Sequence, residues 1–324
     1  MPNPLPSLAD IEDAARSAYA AMPPTPQYSW PLLNEALGLE AWIKHENHTP
    51  TGAFKVRGGL VYLERLLRRQ PDLPGVIAAT RGNHGQSVAF AARRHGIAAT
   101  IVVPHGNSTE KNAAMRGLGA RLIEHGADYQ ESREHAQALA RREGLHMVPS
   151  YHPDIVAGVA GAWVELLRAQ PALDLLLVAI GQGSSFAAAA AARAALGLDI
   201  PLIGVVSAGA PAYRLSFQAG HAVQAPVSTV LADGLACRVP DPLSLPHVLE
   251  YADDVIAVGD DEVAAAMRLY YQCTHNLAEG AGAASLAAAL QLRAGGRLAG
   301  KRIGLALTGG NVDAALFGPL LGQS

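Results

Sequence analysis

The feature of this 324-residue sequence that most constrains its fold is the repeated alternation of short apolar runs with longer amphipathic segments. The apolar runs are rich in Val, Ile, Leu and Ala without polar alternation, which is typical of strands buried on both faces of a parallel sheet. Such runs predict strands at Gly75–Thr80, Ala99–Val103, Arg121–Glu124, Leu175–Ile180, Leu202–Val206, Asp254–Val258 and Ile303–Thr308. The strand–helix–strand repetition predicts an α/β fold with open parallel sheets and right-handed crossovers.

The amphipathic segments between these runs predict helices. These are Leu8–Met22, Leu60–Arg69, Gly85–Arg94, Ser108–Leu118, Tyr129–Arg142, Pro153–Ala169, Ser184–Leu196, Asp260–His275 and Ala283–Arg293. Residues from about Thr49 to Met147 could form a smaller domain inserted in a larger one, although no change in composition marks the boundary.

Composition and charge exclude several classes of protein. The formal net charge is −3 and no basic stripe occurs, so we expect no nucleic-acid partner. Two isolated cysteines and 12 histidines without ligand spacing predict neither a disulfide framework nor a metal site. The apolar run Phe186–Ala195 is too short to span a bilayer, and the amino terminus lacks the features of a signal peptide. We therefore expect a cytoplasmic protein, not associated with a membrane, that acts on a small molecule.

The first candidate functional segment runs from Thr49 to Gly59 and places Lys55 among small and apolar residues. Burial would lower the pKa of this lysine and leave a neutral amine that can attack a carbonyl. The alternative is a lysine that extends into solvent, as most lysines do.

The second candidate segment follows the predicted strand Gly75–Thr80 and precedes a helix. Backbone N–H groups at a helix start bind carboxylates and phosphates, and the segment adds polar side chains to them. Its candidate residues are Thr80, Arg81, Asn83 and His84. The alternative is a simple strand–turn–helix connection in which Asn83 caps the helix.

The third candidate segment is glycine-rich and precedes an alanine-rich helix, as expected of a phosphate-binding turn. It consists of Gly181, Gln182, Gly183, Ser184 and Ser185. It is not a dinucleotide fingerprint, because Phe186 stands where a third glycine is required. A plain strand-to-helix turn would look similar.

The fourth candidate segment, Leu307–Asn311, ends a predicted strand and is expected to start a helix. Thr308 could form a hydrogen bond with a ring nitrogen without donating full charge. The alternative is an ordinary strand-to-helix turn.

Taken together, these segments resemble the fold-type II pyridoxal 5′-phosphate (PLP) enzymes, most closely the threonine/serine dehydratase group. Six ordered blocks carry the resemblance: Phe54-Lys-Val-Arg-Gly, Gly82-Asn-His-Gly-Gln, Gly181–Ser185, Ala232-Asp-Gly-Leu-Ala, Glu279-Gly-Ala-Gly-Ala and Thr308-Gly-Gly-Asn. The resemblance implies a tryptophan synthase β-like fold with two open parallel-sheet α/β domains. Residues 1–48 plus 148–324 would bind the cofactor, 49–147 would form a small mobile substrate domain, and the chain would form a homodimer.

The resemblance also implies roles for single residues. Lys55 would carry the cofactor as an imine and move the substrate proton, Asn83 would donate to the ring hydroxyl, and Thr308 would face the pyridine nitrogen. The phosphate would be held by Gly181, Gln182, Gly183, Ser184 and Ser185. The substrate carboxylate would be surrounded by Thr80, Arg81, Asn83 and His84.

The implied reaction is the dehydration and deamination of a β-hydroxy L-amino acid to a 2-oxo acid and ammonia. Threonine, serine and phenylserine are the candidate substrates, the last as in a phenylserine dehydratase. The alternatives are a racemase or β-replacement enzyme on the same fold, or a non-catalytic binding protein. Arg81 stands where related racemases place a serine, and because arginine is a poor base it argues against racemisation. Val206 and Ala212 stand where some relatives have cation-binding carboxylates, so we expect that site to be missing.

Overall fold

The computed structural model describes residues 4–322, so the first three residues of the amino-terminal segment considered above lie outside it. Strands β1–β10 are Gln27–Ser29, Glu40–His45, Gly75–Ala79, Ala98–Val103, Arg121–Glu124, His146–Met147, Leu175–Ala179, Leu202–Ser207, Asp254–Val258 and Arg302–Leu307. Helices α1–α13 are Leu8–Tyr19, Pro31–Leu37, Lys55–Arg69, Asn83–Arg94, Thr109–Gly117, Tyr129–Glu143, Pro153–Ala169, Ser184–Ala195, Ala212–Ala219, Leu245–Tyr251, Asp260–Thr274, Gly280–Ala294 and Ala314–Leu321. Glu46–His48 and Asp233–Leu235 form short 3₁₀ helices.

The strands form two sheets. The larger has the order β1-β2-β10-β7-β8-β9, and the smaller has the order β5-β4-β3-β6. All neighbouring strands are parallel except β1 and β2. The predicted α/β fold with two open parallel sheets is therefore confirmed. Every strand of the smaller sheet lies within residues 75–147, but the proposed domain boundaries stay a prediction.

All seven predicted strands are present, with ends shifted by one residue at most. Strands β3 and β7 are buried at every residue, which explains their uninterrupted apolar sequences. The sequence analysis missed β1, β2 and β6. Strand β2 contains the charged residues Glu40 and Lys44, and the buried Lys44 pairs with Glu165 of α7.

Three helices begin earlier than predicted, and this matters for the site. Helix α3 begins at Lys55, not at Leu60, α4 begins at Asn83, not at Gly85, and α12 begins at Gly280, not at Ala283. Glycines in these first turns disguise the helical pattern, since glycine is a poor helix former. Four helices of seven or eight residues, α2, α9, α10 and α13, were not predicted.

The site is assembled where several strands end. Thr80 follows β3, Gly181 lies two residues after the end of β7, and Thr308 follows β10. The segment before α3 is tied to the end of β10, because Phe54 N donates to the Thr308 carbonyl at 2.9 Å. The carboxyl ends of parallel strands thus bring three of the four predicted segments to one cleft, as open α/β sheets usually do. The turn after Thr308 does not start a helix directly, because α13 begins only at Ala314.

Apolar packing joins the two sheets around this cleft. One continuous buried cluster contains Val76 and Ile101 of the smaller sheet, Val178 of the larger sheet and Trp163 of α7. No helix within residues 4–322 is long and apolar enough to cross a membrane.

Candidate active site

One cavity is lined by residues from both sheets and contains every residue predicted for the site. These residues are Lys55, Thr80, Arg81, Asn83, His84, Gly181, Gln182, Gly183, Ser184, Ser185 and Thr308. The four segments were predicted separately, so their meeting in one cavity favours the binding interpretations over four unrelated turns.

Lys55 is the first residue of α3, and its side chain lines this cavity. Nζ lies 3.3 Å from Ser184 Oγ and 5.1 Å from the centre of the Phe54 ring. Burial lowers the pKa of Lys55 from 10.5 to about 8, because the surrounding protein disfavours the ammonium form. A substantial fraction of the amine is therefore neutral near pH 8. The alternative of a lysine extended into bulk water does not describe this side chain.

The turn Gly181–Ser185 forms an anion cradle at the start of α8. Gly183 has φ +89°, a left-handed conformation that glycine adopts without strain, and it precedes Ser184, the first helical residue. Within the described chain, no side chain caps the start of this helix. The first N–H groups of a helix lack intrahelical partners and carry partial positive charge, so they remain available to a phosphate.

We predict that Gly181→Ala weakens PLP binding. A Cβ at this position would lie 2.4 Å from the carbonyl oxygen of Gly234, so the backbone of the cradle must shift. We expect the Kd of the apoprotein for PLP to rise about tenfold or more, equivalent to about 1.4 kcal/mol. Absorbance titration measures it. Gly117→Ala is the control, because a Cβ there meets no atom within 4 Å; equal effects of both variants would contradict the prediction.

The loop after β3 is held in place by Thr80. Its Oγ1 accepts from the backbone N–H of Gly82 at 2.9 Å and of Gly85 at 3.3 Å. Asn83 is the first residue of α4 and Gly82 is its N-cap, so the capping alternative for Asn83 is wrong. The N–H groups at the start of α4 point to a second anion site, suited to a carboxylate.

His84 is buried in the cavity wall. Burial and the nearby charge of Lys55 lower the pKa of His84 to about 3, so the imidazole stays neutral at physiological pH. Its Nε2 has no hydrogen-bond partner among the described residues, which leaves it available to a bound molecule.

Three further charged residues in the cavity wall had no predicted role. Lys111 of α5 donates to Asp233 Oδ2 at 2.8 Å, and its Nζ lies 3.3 Å from Glu279 Oε2. Burial alone would lower the pKa of Lys111, but the two carboxylates outweigh it and raise that pKa. Burial raises the pKa of Glu279, with Lys111 opposing the shift. Asp233 and Glu279 lie in blocks that carry the family resemblance, which was the available signal, whereas Lys111 lies in no motif.

Tyr129 and Ser150 also line the cavity without having been predicted. Their hydroxyl groups lie 3.2 Å apart, on the side of the cavity formed by the smaller sheet. Neither lies in a recognisable motif, so only the folded chain identifies them.

Arg81 lines this cavity and a second, adjoining one. In the part of the chain that the structure describes, its guanidinium has neither a hydrogen bond nor an ion pair. It is therefore available to an anionic group of a bound molecule. Within the same range, no three His, Cys, Asp or Glu side chains gather into a metal site, and the absence of a metal stays a prediction.

These groups match a phosphorylated aldehyde on an aromatic ring. The cradle at α8 suits its phosphate, the amine of Lys55 suits its aldehyde, and Asn83 and Thr308 suit polar ring atoms. Fold and site thus define a class of enzyme that binds such a cofactor through a lysine. The sequence matches the family described as "Pyridoxal-phosphate dependent enzyme" over residues 20–309, and the chain belongs to this family. Its cofactor is PLP.

Individual relatives show which members of this family the chain resembles. The chain is 31% identical to an L-threonine ammonia-lyase of Thermotoga maritima over 98% of its own length and 78% of the relative. It is 34% identical to an L-threo-3-hydroxyaspartate ammonia-lyase of a Pseudomonas species over 98% and 99% of the two chains. The structure of maize serine racemase superposes with a TM-score of 0.90 at 27% identity, covering 97% and 96%. The predicted resemblance to the threonine/serine dehydratase group is confirmed, and the non-catalytic alternative is set aside.

Proposed function

We propose that this PLP-dependent enzyme is an ammonia-lyase that converts a β-hydroxy L-amino acid to a 2-oxo acid and ammonia. The observation that carries the proposal is the position of the Lys55 amine, which shares one cavity with the Gly181–Ser185 cradle and the loop Thr80–His84. The names of the relatives agree with lyase chemistry.

The chain's own residues account for the proton movements. Bound PLP supplies an electron sink for the charge that develops at the substrate α-carbon. Lys55, whose pKa is lowered to about 8, can accept the α-proton as a neutral amine, and Ser184 orients it by accepting a hydrogen bond. The start of α4 holds the substrate carboxylate through backbone N–H groups. Lys55 takes up the α-proton, the Cβ–O bond breaks, and the leaving hydroxyl group takes up one proton and departs as water. Hydrolysis of the dehydrated product by one water molecule then gives ammonia and the 2-oxo acid.

Thr308 is proposed to contact the pyridine nitrogen. It is buried in the cavity wall, and its hydroxyl makes only one long hydrogen bond in the described chain, to the Ala281 carbonyl at 3.4 Å. A neutral hydroxyl does not stabilise a protonated pyridine nitrogen as a carboxylate partner would, so the ring would be a weaker electron sink. We therefore propose that Thr308 favours prompt expulsion of the β-hydroxyl group.

The preferred substrate is a separate question. The relatives favour threonine and L-threo-3-hydroxyaspartate, whereas phenylserine stays a prediction supported by the rings of Phe54 and Tyr129 in the cavity wall. Rates of ammonia and 2-oxo acid formation from serine and these three compounds test the proposal. Absence of a 2-oxo acid from all four would contradict it.

Racemisation is the second candidate function, because the chain resembles a serine racemase in structure. Arg81 opposes it, since a guanidinium is almost always protonated and cannot act as a second base. We predict that the wild type accumulates no D-amino acid and that Arg81→Ser raises the ratio of racemisation to elimination about tenfold or more. Chiral chromatography of the reaction mixture measures this ratio. Rapid D-amino acid formation by the wild type would reverse the assignment.

We further infer that residues 49–147 act as a mobile substrate domain, that the chain forms a homodimer, and that it is cytoplasmic. The loop Thr80–His84 supports the first inference, because it lies in that segment and faces the cavity. Light scattering of the purified chain tests the oligomeric state.

A further inference from the structure

We infer that Asn311 is a positioning residue: it fixes the amide of Asn83 so that an N–H group faces the cofactor. The inference rests on the proposed contact between Asn83 and the cofactor's ring hydroxyl, and it adds two residues, Asn311 and Glu279, for which no role was predicted. Asn311 does not line the main cavity and acts only through Asn83.

A chain of hydrogen bonds carries the inference. Asn311 Nδ2 donates to the Thr51 carbonyl and to Asn83 Oδ1, both at 2.8 Å. Asn83 Nδ2 in turn donates to Glu279 Oε1 at 2.5 Å. A backbone carbonyl can only accept, so it determines which end of the Asn311 amide faces Thr51. The Glu279 carboxylate accepts at the other end, and the orientation of both amides is therefore fixed from two sides.

One amide N–H group of Asn83 has no partner within this series of hydrogen bonds. Asn311 uses both hydrogens of its amide nitrogen, while Asn83 uses one of its two. Because Asn83 lines the cavity, its remaining N–H is available to an acceptor there. A deprotonated ring hydroxyl of the cofactor is such an acceptor. If the amide were reversed, its oxygen would face the carboxylate of Glu279, which is unfavourable.

Glu279, the last acceptor in this series of hydrogen bonds, is held in place by its surroundings. Glu279 is buried, and its backbone N–H donates to the Gly309 carbonyl at 3.1 Å. A Cβ at Gly309 would lie 2.4 Å from Glu279 Oε1, so only glycine permits this approach. The ammonium group of Lys111 can only donate, and it lies 3.3 Å from Glu279 Oε2, so the other oxygen, Oε1, is the acceptor that faces Asn83. Asn83 thus meets an acceptor on one side and the Asn311 donor on the other.

Asn311→Asp tests the inference, because it preserves size while replacing the donor with an acceptor. The readout is the pH titration of the visible absorbance of the PLP-bound enzyme, which reports protonation of the group that Asn83 would contact. We expect the midpoint to move by about one pH unit or more, and kcat to fall about tenfold or more with a smaller change in KM. Asn276→Asp is the control. Asn276 lines neither cavity, and like Asn311 it donates through Nδ2 to a backbone carbonyl, that of Thr274 at 2.9 Å, so aspartate removes a comparable bond away from the site.

Asn311→Ala and Glu279→Gln provide independent measurements if Asn311→Asp fails to bind the cofactor or to fold. Asn311→Ala removes the donor to Asn83, and Glu279→Gln leaves a single acceptor oxygen where Asn83 and Lys111 now have two. Each should move the same midpoint. The inference is overturned if every folded variant titrates like the wild type, even if activity or thermal stability falls. A wild type with the expected titration but no lyase activity would contradict the proposed reaction and leave the positioning role intact.

Discussion

Replacing Lys55 with alanine should lower turnover by about 10³-fold or more, because it removes both the attachment group of the cofactor and the proposed base. This amine lines the cavity, can be neutral near pH 8 and can react with an aldehyde. The measurements are 2-oxo acid formation and the visible spectrum after addition of PLP. We expect the variant to lose the absorbance band of the wild type.

The stability of the apoprotein should not fall with its activity. The pKa of Lys55 is lowered from 10.5 to about 8, so the folded state disfavours the ammonium form. This penalty is complete below about pH 8 and disappears as the pH rises toward 10.5. Lys55→Ala removes it, so the Tm at pH 7 should stay unchanged or rise.

Lys301→Ala is the matched control, since Lys301 lies in the loop between α12 and β10 and lines neither cavity. It should retain the wild-type spectrum and turnover. If Lys55→Ala kept more than about a tenth of the wild-type rate, another group would be the base.

The sequence predicted the elements whose burial is uniform. Strands β3 and β7 are buried on both faces, so their sequences are uninterrupted apolar runs. Such a run can be recognised as a strand without knowing which elements pack against it. Strand β2 could not be predicted in this way, because the polarity of Lys44 is compensated by Glu165, a residue 121 positions away.

The same distinction applies to the site. Lys55 and the Gly181–Ser185 turn lie in local motifs whose chemistry can be inferred from adjacent residues. The contacts of Asn83 with Glu279 and Asn311 span 196 and 228 positions, and they exist only because the two sheets pack in one arrangement. The residues that orient a site therefore escaped prediction, although those proposed to bind the cofactor did not.

A second large effect is expected at Arg57, which lies two residues after Lys55 in α3 and is completely buried. Its guanidinium binds Glu46 through two nitrogens, Nε at 2.8 Å and Nη2 at 3.0 Å. It also donates to Glu165 at 2.7 Å, and Lys44 pairs with the same carboxylate. Burial alone would raise the pKa of Glu165, but Arg57 and Lys44 outweigh burial and lower it. This network anchors the first turn of the helix that presents Lys55.

We predict that Arg57→Ala lowers the free energy of unfolding of the apoprotein by about 3–5 kcal/mol, because it leaves buried carboxylates without their main partner. Urea unfolding at pH 7 measures this loss. The loss should be smaller at pH 4 to 5, since a carboxylate without its cation has a raised pKa and takes up a proton instead. Arg57→Lys should restore only part of the stability, because lysine cannot bind Glu46 through two nitrogens.

Arg16→Ala is the control, since the Arg16 side chain is 72% exposed and, among residues 4–322, forms an ion pair only with the half-exposed Asp13. Exposed pairs of this kind contribute about 0–1 kcal/mol. If Arg57→Ala cost no more than this control, the network would not anchor α3, and the position of Lys55 would depend on apolar packing alone. If the loss of stability is large and the folded fraction of Arg57→Ala also binds PLP less tightly, the network of four buried charged residues serves to hold the amine of Lys55 in place.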